Sequence, residues 1–336
     1  MLLISDEKGQ YKANLHAHST VSDGKLTPTE LKRAYRDAGY SVLAITDHEC
    51  PADHTALSEP DFLMLTGYEA YVRPNPVYDI YQPEIHLNFF AKDPHNTTLI
   101  CFDPRFAKYR KELDSWACPR AGREMPREYS REYIAEYIRT ARENGYLVAY
   151  NHPVWSFESE ADILACDGCF SFEIFNSGSY LLNGTEYNGA LYDRMLRAGK
   201  RIFCHAADDN HNTRPFGDPE CDSFLGFTVI LAPELTYGAI VSALEQGSFY
   251  ASRGPRIHRL SIEGRHVELD CDPVSHIHAY TGSKAPKRVY AENGKTVTHA
   301  EFDLDERAMY FRLSAFDEKG RTADTRAYFP DELGWL

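Results

Sequence analysis

Two histidines lie one residue apart near the start of the chain, in the segment 13–24, whose sequence is ANLHAHSTVSDG. Side chains alternate across a β-strand, so His16 and His18 would point to the same side, and Asp23 follows five residues later. Two imidazoles and a carboxylate are ligands that transition-metal ions accept. An isolated pair of this kind is more often part of a solvated strand face, so the interpretation as a metal site depends on the rest of the chain.

The same residue types recur at or near the ends of other apolar segments. They are His48 in TDHE, Glu69 in GYE, His86 in IHLNF, His152 in NHP, and Asp209 and His211 in ADDNH. With the opening pair, six separate segments thus carry a histidine or a carboxylate. The carboxyl ends of strands are where sites assemble in α/β barrels. This convergence predicts a metal centre.

The hydrophobic pattern predicts the elements that position these residues. Apolar runs rich in β-branched and aromatic residues predict strands at 41–48, 62–69, 85–91, 146–152, 170–176 and 201–209. Helices are predicted at 27–39, 130–145 and 236–247. The first of them begins with Thr27 as N-cap, followed by Pro28 and Glu30. Apolar strands that alternate with helices predict a parallel sheet or barrel.

Two parts of the chain depart from this alternation. Beyond residue 252 the long helical patterns stop, and alternating residues between turn signals predict a small antiparallel β domain over 253–336, after a first domain over 1–252. The histidines of this predicted β domain are expected to contribute no metal ligand, although SHIHAY repeats the HxH spacing of the opening segment. These histidines are His258, His266, His276, His278 and His299. The irregular segment 93–130 is rich in arginine and lysine and is predicted to be an insertion or lid.

In type and order the motifs resemble those of the PHP (polymerase and histidinol phosphatase) superfamily. They are His16-x-His18, Ser22-Asp23-Gly24, Thr46-Asp47-His48, Gly67-Tyr68-Glu69, His86, Asn151-His152-Pro153 and Asp209-x-His211. The resemblance covers about residues 11–252 and implies a metal-dependent phosphoesterase of the α/β class, on a distorted (β/α)7 barrel. The following sequence, GSFYASRGP, resembles the branch that includes carbaryl-hydrolase-like proteins.

The resemblance also implies how the ligands divide among two or three divalent ions. One ion would be held by His16, His18, Glu69 and Asp209, and Glu69 would bridge it to a second ion held by His86 and His152. A third would be held by His48 and His211 with Asp23, where some members of the superfamily have histidine. Ligands of these types suit zinc, manganese or iron alike.

Such a cluster implies hydrolysis of a phosphate ester by metal-activated hydroxide, with Glu69, Asp209 and His211 at the reacting centre. The expected substrate is a small, anionic phosphorylated metabolite, and nucleotides are among the candidates. Arg214 and Arg253 are candidate phosphate contacts because a guanidinium matches a phosphate in geometry. Each could instead form a surface salt bridge.

Two other functions stay open. The same cluster could polarise the carbonyl of a carboxylic ester, carbamate or amide; an apolar cleft would favour this reaction, and convergent arginines and lysines would favour phosphate. The chain could also be a binding module with a vestigial metal site, but its complete ligand set argues against that. Asp47 and Asp208 precede ligand motifs and are predicted to cap strand ends or to orient a ligating histidine.

The bulk composition limits the partners. The 336 residues carry a formal net charge of −14, and 43% of them are hydrophobic, as expected for a folded, acidic protein. Nucleic acid and anionic membranes are poor partners for such a chain. No segment has the pattern of a signal peptide or a membrane span, so a cytoplasmic protein with eight reduced cysteines is expected. The oligomeric state stays open.

Overall fold

The computed structural model describes residues 1–7, 9–111 and 118–335. Its helices are α1 (Pro28–Asp37), α2 (Arg131–Glu143), α3 (Glu160–Ala165), α4 (Ser177–Asn183), α5 (Gly189–Arg197) and α6 (Tyr237–Gln246). Its strands are β1 (Leu2–Ser5), β2 (Gly9–Asn14), β3 (Val42–Ile45), β4 (Leu63–Val72), β5 (Ile85–Ala91), β6 (Leu99–Ile100), β7 (Arg120–Ala121), β8 (Tyr146–Tyr150), β9 (Ser171–Asn176), β10 (Phe203–Ala207), β11 (Phe227–Ala232), β12 (Phe249–Ser252), β13 (Ile257–Glu263), β14 (His266–Val274), β15 (His276–Tyr280), β16 (Lys287–Tyr290), β17 (Val297–Asp303), β18 (Arg312–Phe316) and β19 (Thr322–Thr325). Every strand and helix predicted from the hydrophobic pattern is present, with bounds that differ by a few residues.

Most of the strands form one sheet, in the order β10-β9-β8-β5-β4-β3-β2-β11-β12-β19-β18-β15-β16. β2, β3 and β4 are parallel to one another, and so are β8, β9 and β10. β5 joins these two sets and is antiparallel to both neighbours, because β4 continues into it through the loop 73–84 without a crossover helix. The prediction of an α/β fold is confirmed, and the expectation of a parallel arrangement is wrong at β5.

The strand set that carries the predicted ligands curls so that β10 approaches β11. The Thr228 hydroxyl of β11 donates to the carbonyl oxygen of Ala206 in β10 at 2.9 Å, and its oxygen lies 3.2 Å from the Ala206 N–H as acceptor. β11 in turn pairs with β2 in antiparallel fashion. A side chain thus links the two strands where no backbone ladder joins them among the described residues, and the (β/α)7 barrel stays a prediction.

Strand β3 is apolar along its whole length because both of its faces are covered. Leu43 and Ile45 lie in one apolar cluster with Leu31 of α1. Val42 and Ala44 lie in another cluster, which includes residues of α6. Burial on both faces is what makes such strands continuous apolar runs.

Helix α1 begins at the predicted N-cap. The Thr27 hydroxyl accepts from the Glu30 N–H at 3.3 Å, and the Glu30 carboxylate accepts from the Thr27 N–H at 2.8 Å. This capping box satisfies N–H groups that the first turn leaves unpaired. The helix is thereby anchored directly after the loop that contains Asp23.

The region beyond residue 252 is built of antiparallel strands throughout its described part, as predicted. β13, β14 and β17 form a second sheet with β1 from the start of the chain. β15, β16, β18 and β19 extend the large sheet, since β19 pairs with β12. Two ladders therefore join this region to the rest of the chain, and a domain boundary at residue 252 stays a prediction.

The segment 93–130 contains β6, β7 and the short 3-10 turn Lys108–Lys111, and its residues 112–117 lie outside the described chain. All eight cysteines are free thiols, as expected. Among the described residues, no helix combines the length and the apolar character that a membrane span requires.

Candidate metal centre

The structure brings all nine predicted ligands together at one end of the strand set. Their ligand atoms form four overlapping groups, and within each group all atoms lie within 4.8 Å of one another. The groups are His18–Asp23–His48–His211, His16–Glu69–His152, His16–His18–Asp209 and His48–Glu69–His86. His86 belongs here because β5 runs opposite to its neighbours, so the start of β5 lies beside the carboxyl ends of β4 and β8.

Glu69 lies in the middle of the centre and is buried. Its two carboxylate oxygens lie 2.9 to 3.5 Å from ring nitrogens of five histidines, namely His16, His18, His48, His86 and His152. It also accepts from the Asn151 side-chain amide at 2.7 Å. A carboxylate surrounded in this way is suited to bridging adjacent cations.

Asp209 and the opening histidine pair form one side of the centre. Asp209 Oδ1 is 3.1 Å from His16 Nε2 and 3.0 Å from His18 Nε2. The two histidines therefore face the same space, as predicted, although both lie beyond the end of β2 at Asn14 and not on the strand itself. Asp209 has a φ of 51°, an uncommon left-handed conformation for a residue with a side chain, and its N–H donates to the His16 carbonyl oxygen at 2.9 Å.

Asp23 lies at the other side of the centre, where the site is open to solvent. Its Oδ1 is 3.5 Å from His211 Nε2 and 3.7 Å from His18 Nδ1, and its Oδ2 is 3.7 Å from His48 Nε2. The loop that carries it depends on Gly24, because a Cβ at this position would collide with the His18 carbonyl. The close approach of Gly24 to His18 thus keeps the loop tight, and Asp23 lies against three histidines.

The observed groups differ in detail from the ligand sets that the resemblance implies. His48 lies against Glu69 as well as Asp23, and His18 belongs to the group of Asp23 as well as to that of Asp209. His152 groups with His16 and Glu69. The assignment of individual residues to individual ions stays a prediction.

The donor chemistry fits divalent transition-metal ions. His16 Nε2 and His18 Nε2 face each other at 3.2 Å in a fully buried position, where at most one of the two nitrogens can carry a proton directed at the other. Carboxylate oxygens of Glu69 and Asp209 lie beside both nitrogens. A cation would be coordinated by these lone pairs and would neutralise the buried carboxylates.

Burial and neighbouring charges have opposing effects on the pKa values of several of these side chains. Burial disfavours a charged His16, but the surrounding carboxylates outweigh it and raise the His16 pKa well above its usual range. Burial, together with neighbouring His211 and His48, lowers the pKa of His18. Burial also opposes ionisation of Asp23, yet the histidines around it lower its pKa to about 2. The carboxylates of the centre are therefore ionised, as metal ligands must be.

Glu173 lies inside strand β9, which carries no predicted ligand, and is a candidate site residue that sequence reasoning missed. It is fully buried, and its Oε1 lies 2.8 Å from His16 Nδ1, while its Oε2 accepts from the His152 N–H at 2.8 Å. A carboxylate at Nδ1 fixes the ring so that Nε2 faces the centre. The available signal was an acidic residue inside the apolar run FSFEIFN.

Replacing Glu173 with glutamine is expected to weaken metal binding about 10-fold to 100-fold, because the His16 ring loses the acceptor that orients it. Metal affinity measured by competition with a chelator tests this. Glu186→Gln is a matched control, since Glu186 is equally buried but accepts main-chain N–H groups of Val154 and Trp155. Equal loss of affinity in both variants would contradict the role of Glu173.

Aromatic and cationic side chains both border the centre. The Tyr109 ring stacks on His48 at a centroid distance of 5.7 Å, and the Trp155 ring makes edge contacts with His86 and His152 at 5.3 and 4.9 Å. These tyrosine and tryptophan side chains were also absent from the prediction. Next to His86, Arg73 and Glu84 form an ion pair of 3.0 Å.

Asp47 and Asp208 cap the loops that carry the ligands. Asp47 accepts from the N–H groups of Ser19 and Ser22 at 2.7 and 3.1 Å, and from both hydroxyls at 2.6 Å. Asp208 accepts from three successive N–H groups, those of Phe224, Leu225 and Gly226. The predicted capping role is thus observed for both, and neither accepts from a histidine ring in the described structure.

The structure places the two candidate phosphate contacts outside the centre. Arg214 is exposed, and its guanidinium pairs with Glu220 at 2.9 Å, which is the surface salt bridge considered as the alternative. Arg253 lies over the rings of Phe175, Tyr180 and Tyr187, at 4.1 to 5.4 Å from their centroids. The described contacts of both arginines include none of the nine ligands, so their role as substrate contacts stays a prediction.

Arg127 of the segment 93–130 is buried, although the segment is rich in charged residues. Its guanidinium contacts both Glu49 carboxylate oxygens, at 2.5 and 2.7 Å, and donates to the Tyr71 carbonyl oxygen at 2.8 Å. Glu49 follows His48, and Tyr71 lies two residues after Glu69. Arg127 thereby ties this segment to two of the elements that carry ligands.

Replacing Arg127 with alanine is expected to lower the free energy of unfolding by about 3–5 kcal/mol, because it removes the guanidinium that balances the charge of the buried Glu49 carboxylate. Denaturant unfolding of both proteins measures the change. Arg123→Ala removes an exposed arginine of the same segment, which pairs with Glu128, and should cost less than about 1 kcal/mol. Similar losses for the two variants would show that the buried pair is not important for stability.

Comparisons with known proteins extend these observations. No protein-family model matches the chain. A 5′-3′ exoribonuclease of Haemophilus influenzae is 46% identical over 63 residues, which are 17% of this chain and 23% of that relative. The match thus spans about a quarter of the relative's length.

Solved structures are similar over longer stretches and at lower identity. A two-domain protein from Bacteroides vulgatus, described as containing a predicted PHP-like metal-dependent phosphoesterase, is 14% identical with a TM-score of 0.46, over 97% of both chains. An amidohydrolase from Chromobacterium violaceum is 20% identical with a TM-score of 0.39, over 62% of this chain and 93% of its own. A protein described as PHP-like is thus among the solved structures to which the chain is similar.

Proposed function

We propose that this protein is a metal-dependent phosphoesterase of PHP type, built on a distorted (β/α)7 barrel. The overlap of the ligand groups is the observation that carries the proposal. His16, His18, His48 and Glu69 each belong to two of the four groups. Ligands shared in this way would hold two or three ions, with zinc, manganese and iron as candidates.

When bound, such ions supply an activated water and offset the charge that develops on phosphoryl oxygens. The side chains of the protein perform the remaining tasks. Glu173 directs His16 into the centre, and the Asp47 cap holds the loop of Asp23. His211 has a side chain that is 30% exposed, so its ring can contact the substrate at the solvent-facing side of the centre.

The proposed substrate is a small phosphate ester, and a nucleotide is the leading candidate. Arg73 places a guanidinium beside His86, where a phosphate group could compete with Glu84 for it. The matching relative is named as an exoribonuclease, an enzyme of phosphodiester substrates. The acidic chain favours a small nucleotide or the end of an oligonucleotide over an extended nucleic acid.

The second candidate is hydrolysis of a carboxylic ester, carbamate or amide. It is favoured by the aromatic side chains of Trp155 and Tyr109, which contact the ligating histidines and provide apolar surface for a neutral substrate. A metal centre of this kind polarises a carbonyl oxygen as well as a phosphoryl oxygen. The two candidate reactions therefore cannot be distinguished by the metal ligands, and only the substrates that the protein cleaves distinguish them.

A substrate panel on protein purified without chelator tests both candidates. We expect about two or more ions per chain by elemental analysis, and hydrolysis of phosphate esters that a chelator abolishes and added manganese or zinc restores. The panel contains a phosphomonoester, a phosphodiester, a 5′-phosphorylated oligonucleotide, a carboxylic ester and a carbamate. Less than one ion per chain would contradict the metal centre. Cleavage of the carboxylic ester or carbamate alone, by fully loaded protein, would establish the second candidate.

A further inference from the structure

A second cavity lies between strand β2 and the region beyond residue 252. Its volume is about 400 Å³, and it is lined by residues of β2 and β11 and by the chain that follows β12. None of the nine ligands of the metal centre is among its lining residues. A cavity of this size accommodates a small ligand.

The charge of this junction cavity is opposite to that of the whole chain. Lys12, Arg253, Arg256 and Arg321 line it, in a protein whose formal net charge is −14. The lining contains one carboxylate, Asp272, which accepts from the Arg256 N–H and lies 2.9 Å from the His258 ring nitrogen. Cations thus outnumber carboxylates in the wall, which favours an anionic ligand.

Three of these cations are available for a ligand. Within the described chain, Lys12, Arg253 and Arg256 form no ion pair with a carboxylate, whereas Arg321 pairs with Asp317 at 2.7 Å. Arg256 donates to the neutral side-chain oxygen of Gln10 at 3.0 Å. Like charges gathered without counter-ions cost free energy that a bound anion would offset.

Aromatic rings hold two of these cations in place. Lys12 Nζ lies 3.9 Å from the centroid of Tyr40 and 4.6 Å from that of Phe227, and the Arg253 guanidinium lies 4.1 Å from that of Phe175. Burial lowers the pKa of Lys12 and Arg256 lowers it further, against the opposing effect of Asp208. A positioned, partly desolvated ammonium binds an anion more strongly than a solvated one does.

We infer that the junction cavity binds a small phosphorylated molecule, at a site separate from the metal centre. The phosphate group lies among Lys12, Arg253 and Arg256. The apolar part of the molecule packs against Phe224, Phe227 and Val229, which also line the cavity. The ligand class is thus a phosphate monoester with an apolar or aromatic group, and not free inorganic phosphate.

Titration calorimetry with phenylphosphonate tests the site, because this probe carries the anion and an aromatic ring and has no ester bond to hydrolyse. The full chain is titrated as the metal-loaded wild type and as His16→Ala, in which binding at the metal centre is impaired. In the His16→Ala chain we expect one site, which Lys12→Gln or Arg256→Gln weakens about tenfold. Arg307→Gln is the matched control, since Arg307 is an exposed arginine paired with Asp305, and should leave the affinity unchanged.

Several outcomes would overturn this inference. They are the absence of phenylphosphonate binding to the His16→Ala chain at millimolar concentration, and binding that neither cavity variant weakens. Inorganic phosphate is titrated in parallel, and an affinity equal to that of phenylphosphonate would contradict the apolar part of the site. A failure of the proposed function would give a different result. The metal-loaded wild type would then bind phenylphosphonate at one site only, in the junction cavity.

Discussion

Replacing His16 or His18 with alanine is expected to lower hydrolytic turnover by about three orders of magnitude or more, while the protein stays folded. Both Nε2 atoms lie within 3.1 Å of the same carboxylate oxygen of Asp209, so removal of either ring would take away one of the ligand atoms that could hold an ion there. The fold survives because the apolar clusters around the strands do not depend on the two histidines. Steady-state kinetics and circular dichroism measure the two effects.

His276→Ala and His278→Ala are matched controls for this prediction, because they alter the same HxH spacing on another strand. The rings of His276 and His278 are 4.8 Å apart and pack against Tyr290 and Phe316 on β15 and its neighbours. Within the described chain, neither belongs to a group that could hold a metal ion. We expect turnover within about twofold of the wild type, as for surface changes distant from a site. Comparable losses from both pairs would refute the assignment of the opening pair.

Replacing Glu69 with glutamine is expected to have the largest effect on metal content. The amide keeps the size of the side chain and removes the charge that faces five histidines, so the protein should lose at least about one ion per chain. Turnover should fall by about three orders of magnitude, because a shared ligand serves two neighbouring ions. Elemental analysis after dialysis and steady-state kinetics provide the measurements.

Asp47→Asn is the control for the Glu69 variant. Asp47 is also a buried carboxylate near the centre, but it accepts from Ser19 and Ser22 and belongs to none of the four ligand groups. The variant should lower stability through its loop and retain most of the metal. A greater loss of metal from Asp47→Asn than from Glu69→Gln would invert the assigned roles.

The sequence by itself determined the elements and the residue types of the site. Local sequence signals were sufficient to predict where helix α1 begins, because its capping box involves residues only three positions apart. Continuous apolar runs were sufficient to predict strands such as β3, because both faces of this strand are buried. His16, His18 and Asp209 each follow the end of an apolar segment. Because the ends of neighbouring strands meet at one side of a strand set, the sequence pattern also predicts that these three residues lie close together.

Only the tertiary structure decided which partners surround these residues. The two HxH pairs are indistinguishable by spacing, and they differ because Glu69, Asp209 and Glu173 reach the first pair from other segments of the chain. Glu173 lies 157 positions along the chain from His16, and Arg127 lies 78 positions from Glu49. The antiparallel direction of β5, which brings His86 into the centre, likewise depends on how the loop 73–84 returns the chain. Such contacts join distant segments through packing and burial, and no local pattern encodes them.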